Sequence, residues 1–134
     1  MKPPIAVRIV LVLAALILAG SAVYQLIEPL GWYWAVPGVP LTGPFNPHFV
    51  RDIGAAYLAA VLGFAWFAWR PRQGWPALVA AAVFLTIHAA VHVYDEACSS
   101  DPLGAIERDA FAIHLIALLA LISAIVFRPK EIEP

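Results

Sequence analysis

The sequence predicts an all-α integral membrane protein, folded as an antiparallel four-helix bundle with both termini in the cytoplasm. Hydrophobic residues make up 63% of the 134 residues, charged residues only 13%, and the mean hydropathy is +0.84. A soluble domain of this length cannot bury so much apolar surface. The apolar residues also fall into four runs of about 20 or more residues, each long enough to cross a hydrocarbon core of about 30 Å. We therefore expect the lipid bilayer to surround the chain.

The chain forms a single membrane domain with four predicted spans. These cover residues 5–27, 48–69, 75–97 and 105–127, and outer loops cover residues 28–47 and 98–104. The first span follows a basic start and could be taken for a signal peptide, but its apolar character continues to Ile27. That length suffices to cross a bilayer, so we predict that this span is retained.

The connections between the spans differ in length and composition. The loop at 28–47 contains five prolines and three glycines, a spacing that predicts no regular helix. It opens with Trp32, Tyr33 and Trp34, whose rings suit the headgroup region, so the loop is either an anchoring connector or a lid over a site. By contrast, a tight turn at 71–74 is predicted to make the second and third spans antiparallel neighbours.

Basic residues predict the orientation of the bundle. One side carries Lys2, Arg8, Arg70, Arg72, Arg128 and Lys130, and the other side carries only Arg51 and Arg108. By the positive-inside rule, the side with more basic residues is cytoplasmic. The net charge of −1 and the lack of a basic stripe argue against a nucleic-acid partner. A single cysteine, Cys98, excludes an intramolecular disulfide and a cysteine metal cluster.

The third span carries the most informative polar residues, in the segment LTIHAAVHVYDEACSSD at 85–101. His88 and His92 are four residues apart and Asp95 is seven beyond His88, which places all three on one helix face. Glu96 follows His92 by one turn. Ionisable groups inside a span are costly and usually face the bundle interior, so they are candidates for function.

All four histidines are expected in the outer halves of their spans, which predicts a polar pocket open to the outside. His88 and His114 would form its floor, and four other side chains its upper wall. The predicted metal ligands are His48, Asp52, His88, His92, Asp95, Glu107 and His114. Four further residues are expected to line the pocket or to hold the helices together: Arg51, Tyr57, Tyr94 and Glu96.

Imidazole and carboxylate donors together suit a divalent cation such as zinc, iron or manganese. The leading hypothesis is therefore an outward-facing pocket for a metal ion or a small polar ligand. In one alternative the same groups form structural hydrogen bonds between helices. In another, His88 and His114 are the axial ligands of a haem, which is disfavoured because no obvious space-making glycines flank them.

A competing class of function is an accessory or assembly subunit of a larger membrane complex. Small residues at helical spacing let a neighbouring backbone approach closely, whether from another membrane protein or from a second copy. Those on the second and third spans are Ala56, Ala60, Gly63, Ala77, Ala80, Ala81 and Ala82. No nucleophile elbow, phosphate loop or dinucleotide fingerprint commits the chain to catalysis.

The segment NPHFVRDIGAAYLAAVLGFAW, at 46–66, resembles a pattern in small bacterial four-helix membrane proteins of the DoxX-like group. In that pattern an Arg-Asp-x-Gly sequence opens a span rich in small residues. The resemblance implies an up-down bundle in the bacterial cytoplasmic membrane. It also implies that Arg51, Asp52 and Gly54 are motif positions, without assigning them any chemistry.

Overall fold

The computed structural model describes residues 3–129, and this part of the chain is helical with no strand. Three long helices are continuous: α1 (Ile5–Ile27), α3 (Pro47–Trp69) and α4 (Pro71–Ala97). The fourth is composite and consists of α5 (Pro102–Asp109), a π-helical segment (Ala110–Leu115) and α6 (Ile116–Val126). All four are long and apolar enough to cross a membrane, as judged from length and composition. Lys2 and Lys130, used in the predicted orientation, lie outside the described residues.

Proline is the first residue of α2, α3, α4 and α5, where its missing N–H would have no partner anyway. At α3, the Asn46 side chain accepts hydrogen bonds from the backbone N–H groups of His48 and Phe49, at 3.1 and 3.2 Å. At α5, Asp101 accepts from Gly104 N–H at 3.1 Å in the same way. The loop predicted at 98–104 is therefore shorter, because Pro102 already begins a helix.

Two other segments are more helical than the sequence pattern predicts. The first outer loop contains α2 (Pro29–Ala35), although its prolines and glycines predict no regular helix. Pro29 occupies the first turn of α2 and the next proline is Pro37, so α2 fits between them without losing an internal hydrogen bond. Likewise, the predicted turn at 71–74 is the first turn of α4, and Arg70 alone separates α3 from α4.

Contacts between the long helices show that neighbours run antiparallel. Along the α1–α3 interface, Arg8 Nε donates to the Ala68 carbonyl at 2.5 Å, and Gly54 lies against the Ala22 carbonyl further along. Between α3 and α4, Gly63 contacts Ala77 and Tyr57 contacts His88, so residue numbers fall along α3 as they rise along α4. Between α4 and the composite helix, Trp75 contacts Ala124 and His92 contacts Asp109, which gives the same antiparallel order. Residues 3–129 therefore cross the bundle four times, in alternating directions.

The two ends of the bundle differ in charge. The basic end is defined by Arg8, Arg70, Arg72 and Arg128, which lie where α1 and α4 begin and where α3 and α6 end. The opposite end, called the loop end, carries α2, the short connection after α4 and most of the acidic side chains. Charge is therefore segregated along the helix axes.

The core is small and the outer surface is apolar. Phe64, Phe67, Leu11 and Leu78 are fully buried, and alanines fill most of the remaining core. Large apolar side chains point outward along every long helix; on α1, for example, Leu16 and Ile17 are 63% and 60% exposed. Such a surface is unfavourable in water but suits contact with lipid.

The small residues predicted to form a docking surface mostly pack inside the bundle. Gly63 lies against the Ala77 backbone carbonyl, where a Cβ atom would be only 2.6 Å from the oxygen. Ala60, Ala81 and Ala82 belong to the buried core. Ala56 is half-buried and Ala80 is exposed. Most of these small residues therefore pack inside the bundle, and Gly63 allows a close approach of α3 to α4.

Candidate functional site

The polar residues of α4 form a single row near the loop end. His88, His92 and Glu96 are each four residues apart, so one inclined ridge of the helix presents all three side chains. Glu96 is only 3% exposed, whereas Asp95 beside it is exposed. The ridge that faces the other helices therefore includes Glu96, and the predicted ligand Asp95 lies outside it.

His88 is the deepest member of this row and bonds to α3. Its Nε2 atom lies 2.9 Å from the Tyr57 hydroxyl, and Tyr57 is buried. The ring of Phe84 stacks on the His88 ring at a centroid distance of 5.8 Å. His92 meets the other side of the imidazole, with ring centroids 4.8 Å apart. These contacts fix the ring of His88 on several sides.

His92 connects the row to the composite helix through Asp109. The Nδ1 atom of His92 donates to Asp109 Oδ2 at 2.8 Å. Arg108 donates to the same carboxylate, from Nε to Oδ1 at 2.9 Å and from Nη2 to Oδ2 at 3.3 Å. Because Nδ1 of His92 is occupied by this hydrogen bond, Nε2 of a neutral imidazole is free to bind a ligand.

A second histidine–carboxylate pair joins the same two helices, but here the carboxylate is on α4 and the histidine is on the composite helix. His114 lies on the composite helix, and its Nε2 donates to Oε1 of Glu96 on α4 at 2.7 Å. The Glu96 and Asp109 carboxylates are both buried, at 3% and 8% exposure. Two carboxylates can share this interior because each accepts at least one hydrogen bond from a histidine.

The π-helical segment explains how Asp109 and His114 face α4 together. In an ideal α-helix, residues five apart are rotated by about 140°, since each residue turns the helix by about 100°. In a π-helix hydrogen bonds join residues five apart, which brings such residues close to one face. Asp109 immediately precedes this segment, and His114 lies within it, five residues later. A local π-helical turn next to functional groups is a common arrangement in proteins.

Three of these side chains could hold a metal ion. His92, Glu96 and Asp109 each offer one ligand atom, and the three atoms lie within 4.8 Å of one another. In a tetrahedral zinc site with bonds of about 2.1 Å, the donor atoms are about 3.4 Å apart. The widest pair of these donors would therefore need to approach by up to about 1.4 Å to complete such a site.

The other predicted ligands lie away from this cluster. His48 and Asp52 pair with each other at 3.5 Å on the surface, with side chains 88% and 63% exposed. Glu107 on α5 is exposed. His114 pairs with Glu96 and does not pair with His88. His88 and His114, the residues that would be the axial ligands of a haem, each bond to another side chain in this structure, Tyr57 and Glu96 respectively.

Two predicted lining residues also lie outside the cluster. Tyr94 is 70% exposed, and Arg51 donates to the Leu26 carbonyl at the end of α1, at 3.3 Å. Conversely, Asp109 and Arg108 were not among the predicted site residues. The sequence spacing places Glu107 on the same face as His114, seven residues later, only if the chain between them is α-helical throughout. The adjacent pair of Arg108 and Asp109 at the start of a span is the sequence signal that could have identified Asp109.

The first outer loop contacts the cluster through Arg108. Gly38 has a φ of 88° and lies so close to the guanidinium that a Cβ atom would be 2.5 Å from Nε. The loop has a folded centre, since Tyr33 is buried, donates to the Gly43 carbonyl at 2.9 Å and packs on Phe45. The loop therefore lies against the cluster at the loop end of the bundle.

No family model, curated protein or solved structure matches this chain.

Proposed function

We propose that this chain is a multi-pass protein of the bacterial cytoplasmic membrane that binds a divalent transition-metal ion in the outer half of its helix bundle. The ligands are His92, Glu96 and Asp109. The observation that carries the proposal is the convergence of these three donors within 4.8 Å, with both carboxylates buried. The choice of a bacterial membrane rests on the resemblance of residues 46–66 to the DoxX-like group.

The membrane orientation in this proposal follows from the basic end. Four arginines lie there, and basic residues are concentrated on the cytoplasmic side of membrane proteins. Both termini are then cytoplasmic, and the metal site opens to the outside near the loop end.

The orientation predicts the labelling of Cys98, which is exposed at the loop end. A thiol reagent that does not cross membranes is expected to label Cys98 in intact cells. A Cys98→Ser/Gln73→Cys variant carries its thiol at the basic end and is expected to react only after the membrane is permeabilised. The opposite pattern would place the termini outside.

The neighbours of the three ligands support a metal site. His114 holds Glu96, and Arg108 holds Asp109, so both carboxylates are oriented before an ion arrives. One imidazole and two carboxylates suit zinc, iron or manganese. Three protein ligands also leave coordination positions for water or another small molecule. The hydrogen bond from His92 to Asp109 changes when Asp109 becomes a ligand, so metal binding competes with this contact.

Co²⁺ titration of the purified protein, followed by absorption spectroscopy, tests the site. We expect the wild type to bind one Co²⁺ ion, and Zn²⁺ to displace it. Glu96→Gln should weaken this binding by at least about tenfold, since a charged ligand is lost. Asp95→Asn is the matched control, because Asp95 is adjacent but exposed, and it should bind like the wild type. Equal affinity in the two variants would contradict the proposal.

A structural role for the same side chains is the second candidate. It is favoured by the hydrogen bonds that both carboxylates already accept from histidines. In that case Glu96→Gln should lower the thermal stability of the protein in detergent, and the wild type should bind no Co²⁺. Measurement of unfolding and of metal binding on the same samples separates the two roles.

A further inference from the structure

An apolar groove lies between α4 and α6, on the half of the bundle next to the basic end. Its volume is about 580 Å³. Trp75, Val79, Val83 and Ile87 form one wall along α4, and α6 supplies the other. From Trp75 to Ile87 the groove follows twelve residues of helix, or about 18 Å. That length is close to the depth of one leaflet, since the whole hydrocarbon core measures about 30 Å.

One charged side chain, Arg128, borders the groove at the basic end. Within residues 3–129, Arg128 makes no hydrogen bond or salt bridge to another side chain or to the backbone. The N–H group of Trp75 donates to the Ala124 carbonyl at 2.8 Å, which fixes the indole as part of the groove wall. As far as the described residues go, the guanidinium therefore has no competing contact at the end of this apolar channel.

A second apolar groove, along α1 and α3, provides a comparison. It has a volume of about 390 Å³ and borders Arg8 at the same end of the bundle. Arg8, however, donates to the carbonyls of Ala68 and Trp69 at the end of α3. The groove between α4 and α6 thus ends at an arginine that bonds to no other residue in the described part of the chain, whereas the arginine of the groove along α1 bonds to α3.

We propose that the groove between α4 and α6 binds an anionic phospholipid, with one acyl chain along the channel and the phosphate on Arg128. Guanidinium and phosphate match in charge and can form two parallel hydrogen bonds. Basic pockets between helices at the cytoplasmic side of a membrane are suited to anionic headgroups. The proposal requires a membrane-embedded bundle but is independent of the metal site.

Native mass spectrometry of the protein in detergent micelles tests the headgroup contact. With added phosphatidylglycerol we expect a one-to-one complex, and with phosphatidylcholine much less of it. Arg128→Ala should reduce phosphatidylglycerol binding by about fivefold, the effect of one basic residue near an anionic lipid. Arg72→Ala is the matched control: it removes the same charge from the same end, but Arg72 does not border the groove. Equal loss in both variants would overturn the proposal.

A second pair of variants tests the channel. Val83 and Val91 are both 54% exposed on α4, but only Val83 borders the groove. Val83→Phe should narrow the channel and reduce lipid binding, whereas Val91→Phe should not. If Val83→Phe instead converts a dimer into a monomer with lipid binding unchanged, a second copy of the chain occupies the groove and the lipid proposal is wrong.

Discussion

An Asp109→Asn variant is expected to bind Co²⁺ about a hundredfold more weakly than the wild type. The substitution removes one charged ligand. It also leaves the Arg108 guanidinium next to the metal site without its carboxylate, which adds electrostatic repulsion of a cation. Both effects act on the ion directly, so the loss should exceed that of a single contact. Spectroscopic titration of the purified variant measures it.

Glu107→Gln is the matched control for this substitution. Glu107 lies two residues before Asp109 on the same helix but is exposed. The Glu107→Gln substitution changes the net charge by the same amount as Asp109→Asn. We expect its Co²⁺ affinity to remain within about twofold of the wild type, because a solvated charge has a small effect at this distance. If Glu107→Gln lowered the Co²⁺ affinity as much as Asp109→Asn, binding would depend on the net charge of the protein and not on Asp109 as a ligand.

A Gly74→Ala variant is expected to lose about 3 kcal/mol of stability, at the upper end of the range for overpacked sites. Gly74 lies in the first turn of α4, directly against the last turns of α3. An added Cβ would be 2.5 Å from the Trp66 carbonyl carbon and 2.7 Å from the Phe67 Cα, and it would also collide with Phe67 N. Backbone atoms inside a helix cannot rotate away, so α3 and α4 would have to separate. SDS-induced unfolding in mixed micelles measures the loss.

Gly20→Ala provides the control for helix propensity. Gly20 is exposed on α1, and a Cβ there would meet no atom within 4 Å. Alanine is favoured over glycine in a helix by up to about 1 kcal/mol, so this variant should be as stable as the wild type or slightly more stable. If both variants have the same stability, close packing of Gly74 does not limit the stability of the bundle.

The four long helices could be predicted because hydrophobic length is a strong signal. The run from Ile5 to Ile27 gives the bounds of α1 directly. The sequence pattern was less informative where proline is frequent, since proline is compatible with a helix start as well as with a loop. For this reason α2 and the first turn of α4 were not predicted.

The candidate site could be predicted only in part. The spacing of His88 and His92 identifies their shared face, and Glu96 extends the same row. Which of two adjacent carboxylates faces inward depends on how α4 crosses its neighbours, and the sequence of α4 contains no information on that crossing. The choice of Asp109 over Glu107 depends in addition on the π-helical segment, which has no reliable sequence signal.

The π-helical segment also makes the composite helix sensitive to chain length. Substitutions within residues 110–115 exchange one side chain, but insertion of one more residue between Asp109 and His114 would rotate α6 relative to α5 by about 100°. His114 would then turn away from Glu96, and Ala124 would turn away from the Trp75 N–H group near the opposite end of the helix. Loss of one residue would instead leave Asp109 and His114 four apart, a spacing that an ordinary α-helix brings to one face. Insertions should therefore be tolerated far less here than in the connection at 98–101, whereas a single deletion should be tolerated.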